Sequence, residues 1–140
     1  MGAIDGFPSV FLDASFLVAL FGKQDALHDR ARALFEDVAD ANSAPCTIWD
    51  CISESLTVLR RHYGYGAAVA LVGSLSDLTI VATDTSHRLA ALDVFKRHSR
   101  KRPISFVDAL SAVVVRLELA GAPALSFDRD FRALGLTVID

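Results

Sequence analysis

Cysteine, net positive charge and long apolar runs are all scarce in this 140-residue chain, and each scarcity removes a class of protein. The two cysteines, Cys46 and Cys51, have a spacing that fits no zinc motif and are followed by no second pair, so they read as buried free thiols. Lys and Arg total 14 against 17 Asp and Glu, a formal net charge of −3. That balance argues against a broad basic face for gripping nucleic acid and confines any such contact to a local patch. No apolar run reaches the roughly 18 residues that a membrane-spanning helix needs. The opening MGAIDGFPS carries neither a basic region nor a long apolar signal core, and the expected location is the cytoplasm. Linkers, low-complexity segments and internal repeats are missing as well, so residues 1–140 are read as one domain.

What the chain has in quantity is apolar side chains, 52% of residues, with a mean hydropathy of +0.38. Such a composition suits a sheet covered by helices on both faces. Short runs rich in β-branched or apolar residues predict strands at 9–13, 45–49, 78–83, 122–127 and 136–139. Apolar residues at helical spacing, with Gly64 and Gly121 as stops, predict helices from residue 14 and over 27–41, 50–64, 65–76, 85–99, 106–121 and 128–134. Strands separated by helices imply parallel βαβ units, and the expected class is α/β, a three-layer α/β/α sandwich around a central, mostly parallel sheet.

In open α/β sheets, chemistry collects at the carboxyl ends of strands. Four acids meet that test. Asp13 ends the first strand and Asp128 follows ALSF directly, while Glu54 lies one turn into the helix after PCTIW and Asp108 in the opening turn of the helix after RPISF. Asp13 and Asp108 also suit helix N-termini, where a carboxylate satisfies free N–H groups and the dipole. Glu54 lies past the first turn and cannot cap. Ser15 and Ser126, two residues from Asp13 and Asp128, are placed either to orient a carboxylate or a metal-bound water, or to bond the local backbone. Two carboxylates about 4 Å apart repel by roughly 4 kcal/mol at an effective dielectric near 20. A hard divalent cation, Mg²⁺ or Mn²⁺, resolves that conflict through oxygen ligands and suits hydrolysis of a phosphodiester. His28, His62, His87 and His98 are scattered and read as solvated. In KRHSRKR, residues 96–102, Arg97 and Arg100 either bind phosphate or solvate the end of a helix.

VFLDASFLVALF, ISESLTVLRRHYG, SFVDALSAVVVRL and ALSFDRDF together resemble the PIN domain, in particular VapC-type toxin ribonucleases of toxin–antitoxin pairs. The likeness runs from about Val10 to Ile139. It implies a PIN-like sandwich and a metal-dependent endoribonuclease. By motif, Asp13, Glu54, Asp108 and Asp128 take the positions of the family's four acids, Ser126 that of a small hydroxyl residue, and Asp130 a more variable position in the DRDF turn. The resemblance further implies an RNA substrate, a homodimer, and a small antitoxin whose tail covers the acidic pocket. The rival within the fold is a module that binds RNA or protein without cutting, or a housekeeping nuclease with no antitoxin. A dehalogenase-type phosphotransferase needs a second Asp where Ser15 stands, and a receiver domain needs paired early acids and a late lysine that this chain lacks.

Overall fold

The computed structural model describes residues 2–140. Strand β1, Ser9–Leu12, has Val10, Phe11 and Leu12 wholly buried. Successive side chains of a strand point to opposite faces, so both faces of β1 are covered. It is the central strand of five, all parallel. The others are β2 (Ala44–Thr47), β3 (Thr79–Ile80), β4 (Ala124–Leu125) and β5 (Val138–Ile139), in the order β3-β2-β1-β4-β5.

Among the described residues seven α-helices connect and cover the sheet: α1 (Ala14–Phe21), α2 (His28–Asp40), α3 (Trp49–His62), α4 (Tyr65–Ser74), α5 (Thr85–His98), α6 (Phe106–Glu118) and α7 (Arg129–Arg132). On α2 only Ala31, Leu34 and Val38 are buried, the stripe expected of a helix with one face on a core. Helix α6 differs, because every residue from Ala109 to Val115 is buried. A helix that is apolar all round belongs inside. It packs against α5, while α1 packs against α2, α3 and α4. Cys46 and Cys51 are buried free thiols, as their spacing suggests. No helix among the described residues is long and apolar enough to cross a membrane.

The α/β class and the parallel sheet are as expected, but the strands are shorter. Residues 78–83 give only Thr79–Ile80, because their neighbour β2 stops at Thr47 and the last ladder bond runs from the Val81 N–H to the Thr47 carbonyl at 2.8 Å. The run 122–127 shrinks to Ala124–Leu125 for the same reason, since β1 gives way to α1 after Leu12. Helix α6 stops three residues before the predicted Gly121. There Ala120 and Gly121 take φ of 51° and 74°, and the Gly121 N–H turns back to the Val115 carbonyl.

The strand order fixes where a site can form. From β1 the chain builds outward through β2 and β3, then crosses to the other side of β1 to add β4 and β5. The order therefore reverses between β1 and β4, and the crevice beyond the carboxyl ends of those strands is where open α/β sheets take ligands.

Candidate active site

Leu12 pairs with Leu125 across β1 and β4, and the Asp13 N–H extends the ladder to the Leu125 carbonyl at 3.1 Å. The next residue on each strand is thereby set beside the other, Asp13 against Ser126. Ser126 Oγ donates to Asp13 Oδ2 at 2.7 Å, and Ser15 Oγ donates to the same oxygen at 2.8 Å. Asp13 occupies the N-cap position of α1, with extended backbone, yet its side chain makes no capping bond. Its carbonyl starts the helix by accepting from Phe16 and Leu17, while its carboxylate is turned to the serines. A capping role does not account for this aspartate.

The serines also hold the loop after β4. Phe127 N–H donates to Ser15 Oγ at 3.0 Å and Asp128 N–H to Ser126 Oγ at 3.1 Å. Both readings are realised at once for Ser126, whose hydroxyl orients a carboxylate and binds local backbone, whereas Ser15 orients the same carboxylate and binds backbone 112 residues away. Asp128 caps α7 through its Oδ1, which accepts the Asp130 N–H at 2.9 Å. Asp108 is likewise a capping residue and more. Its Oδ2 accepts the Ser105 N–H at 2.9 Å, and its own N–H donates to Ser105 Oγ, a reciprocal box at the start of α6. Glu54, one turn into α3, has no such partner and stands exposed at the rim.

All four acids line one cleft of about 330 Å³, with Ser15, Val18, Val58 and Phe127 among its walls. A fifth carboxylate joins them. Asp25, in the connection between α1 and α2, lines the same cleft and accepts a 2.8 Å hydrogen bond from the Tyr63 hydroxyl. Among the described residues no Lys, Arg or His lines the cleft. Burial, opposed by the two serine hydroxyls and reinforced by the charge of Asp128, raises the pKa of Asp13 above the ordinary carboxylate value. Glu54 is raised by partial desolvation and by the charges of Asp13 and Asp128. Asp108 is pushed up to about 6, chiefly by burial, against the Ser105 backbone bond, with Asp13 and Asp128 adding to the rise. A hollow of about 400 Å³ elsewhere, between Phe21, Phe35 and Leu78, has its two acids, Glu36 and Asp77, matched by Lys23 and Arg32. The uncompensated charge lies in the first cleft.

The PIN domain family model matches residues 10–136, which takes in every one of these acids. The chain belongs to the PIN domain family. Among solved structures it is similar to VapC20 of Mycobacterium tuberculosis, a sarcin–ricin loop cleaving toxin, with 32% identity, 92% of this chain and 97% of that chain covered, and a TM-score of 0.80. PAE2754 from Pyrobaculum aerophilum shares the fold at 22% identity and a TM-score of 0.58, over 97% of this chain and 87% of that one. No curated protein matches the chain.

In this PIN domain the acid of the DRDF turn, Asp130, is not among the cleft residues. It lies 3.4 Å from Arg102, an ion pair outside the cleft. Arg97 and Arg100, at the end of α5 and just after it, do not line the cleft either. Asp25 escapes a reading of the sequence confined to strand ends and helix starts. Its signal is KQDALHD, an acid in a short loop directly after the first helix.

The donor set is all oxygen, five carboxylates and two hydroxyls, which suits a hard cation and excludes a thiolate or imidazole site. Among the described residues no three Asp, Glu, His or Cys side chains are gathered tightly enough to close a ligand shell. The acids share a cleft and form no cage. That openness fits an ion such as Mg²⁺, which is held by one or two carboxylates and keeps several waters.

Proposed function

We propose that this PIN domain is an endoribonuclease dependent on Mg²⁺ or Mn²⁺ and acts as the toxin of a VapBC-type pair. The observation that supports it best is the convergence of Asp13, Glu54, Asp108 and Asp128 on one cleft that, among the described residues, contains no cationic side chain of its own. Asp13 and Asp108 would hold the metal directly, with Asp128 completing the acidic wall. When bound there, the metal supplies the positive charge that draws in a phosphodiester and offsets the charge developing at phosphorus.

The chain's own residues prepare that chemistry. Ser15 and Ser126 fix Asp13 through Oδ2, which leaves Oδ1 free of hydroxyl donors and held in one orientation. The Ser105 N–H does the same for Asp108. Among the described residues Glu54 has no hydrogen-bond or ion-pair partner, and its raised proton affinity suits a carboxylate that takes a proton from the attacking water. Phe127 stacks on Phe16, with ring centroids 5.8 Å apart, and so fixes the loop that carries Asp128.

VapC20 is a sarcin–ricin loop cleaving toxin, so a sarcin–ricin loop RNA is the first substrate to offer, beside other structured RNAs. Purified protein is expected to cut RNA with Mg²⁺ or Mn²⁺ and to stop in EDTA. Asp13→Asn and Asp108→Asn are each expected to lower the rate by at least about 100-fold, the scale of losing a main electrostatic contributor. Cutting that survives EDTA, or both variants cutting as fast as the parent, would overturn the assignment. A small reading frame beside the gene, whose product co-purifies with this chain and stops cleavage, is the expected antitoxin.

A further inference from the structure

The acidic cleft has an extension with a different electrostatic character. A groove of about 400 Å³ opens from it across Glu54 and Val58, which line both. Its floor is the solvent side of α3, with Asp50, Ser53 and Thr57, and its other wall is Ser105 and Val107 at the start of α6. Beyond Thr57 the groove passes into a shallow hollow lined by Leu56, Thr57, Arg60 and Arg61. One helix face therefore leads from an acid of the cleft to two arginines. From Glu54 to Arg61 is seven residues, two turns, an axial rise of about 10.5 Å.

Negative charge falls away along this path. Asp50, the groove's other acid, is held by Arg88 at 3.4 Å. Arg60 and Arg61 are exposed, and among the described residues neither forms an ion pair, whereas Arg88, Arg102 and Arg132 each pair with an aspartate. Hydroxyls of Ser53, Thr57 and Ser105 stand between the two ends. A polyanion with one phosphate at the cleft would meet the Ser53 and Ser105 hydroxyls as neutral donors, the Thr57 hydroxyl being spent on the Ser53 carbonyl, and then two free guanidiniums, groups that bind phosphate in a forked geometry.

We infer that this groove is the path of a single strand of RNA leaving the cleft, with Arg60 and Arg61 holding the backbone of nucleotides beside the one that is cut. The inference rests on the ribonuclease reading of the cleft, but its test separates the two. Affinity for a labelled single-stranded oligoribonucleotide is measured as a function of salt in protein carrying Asp13→Asn, with and without Arg60→Ala and Arg61→Ala. The double change is expected to weaken binding about ten-fold and to flatten the slope of log K against log salt by about 1.4, roughly 0.7 for each phosphate of a single strand that is no longer neutralised. Arg60→Lys with Arg61→Lys restores the slope, because the charge is kept. With Asp13 in place, the Ala pair raises KM and leaves kcat within about two-fold.

Unchanged affinity and slope in the Ala pair would overturn the path, even for a chain that cuts RNA. RNA bound through Arg60 and Arg61 by a protein that never cuts would keep the path and remove the nuclease. No binding of RNA at all would remove both.

Discussion

Asp13 shows how one residue can satisfy a local rule and a distant requirement together. Its backbone begins α1 as an N-cap should, and its carboxylate is committed to Ser15 and to Ser126, 113 positions away in sequence. Asp108 has the same double role with Ser105, and its cost in stability can be measured. Because its pKa is about 6 in the folded protein and lies near 3.8 in the unfolded chain, the native state binds the extra proton between those values. Stability therefore rises as pH falls from above 6 towards 4, and the charged form weakens the fold at neutral pH. Asp108→Asn removes that burden while its amide oxygen still accepts the Ser105 N–H. In EDTA at pH 7.5 the variant is expected to melt above the parent, by on the order of 1 kcal/mol after screening by solvent, and the gap narrows below pH 6 and closes as pH falls to about 3.8. Thermal melts of both proteins across that range read the effect, and a parent more stable than the variant at pH 7.5 contradicts it. At this scale the four acids are legible because strand ends and helix starts carry sequence signals. Asp25 is not legible, since its place in the cleft is secured from Tyr63, 38 residues on. The position of Asp130 is also unreadable, because it depends on where Arg102 ends up.

At the scale of elements, the number, type and order of strands and helices follow from apolar runs and their period. Their lengths do not. A parallel strand ends where its neighbour ends, and Thr79–Ile80, Ala124–Leu125 and Val138–Ile139 are short because β1 and β2 are short. The junction of α1 with the loop bearing Asp25 also depends on a contact outside any local pattern. A Cβ on Gly22 would lie 2.8 Å from the Val18 carbonyl oxygen and 2.9 Å from the Tyr63 ring. Backbone cannot yield as a flexible side chain can, so Gly22→Ala must displace the ring whose hydroxyl holds Asp25. The expected loss is about 1–3 kcal/mol, the usual range for overpacking, seen as a lower midpoint in urea with an unchanged slope. A midpoint equal to the parent's would show that α1 and Tyr63 part without cost.

The whole molecule is acidic, with a net charge of −3, and its acidic cleft gathers five carboxylates with, among the described residues, no cationic side chain beside them. For a protein whose proposed substrate is a polyanion, that is workable only if a cation reverses the sign of the cleft. Topology makes the reversal local. The order β3-β2-β1-β4-β5 puts the switch point at β1 and β4, so Asp13 and Asp128 meet there, and α3 and α6 bring Glu54 and Asp108 to the same edge. The βαβ alternation of the sequence already implies a parallel sheet with one active edge. It cannot set the strand order, which is decided by which apolar faces pack, and so the convergence of the acids becomes visible only in the folded chain.

That convergence is tested most directly by titrating Mn²⁺ into the protein calorimetrically, for the parent, Asp13→Asn, Asp108→Asn and the double variant. Each single change should weaken binding by at least about ten-fold, and the double should cost clearly less than the product of the two, because residues that serve one ion are not independent. Two single variants that bind Mn²⁺ as the parent does would show that these aspartates hold no common ion, and the metal-dependent site would be lost with them.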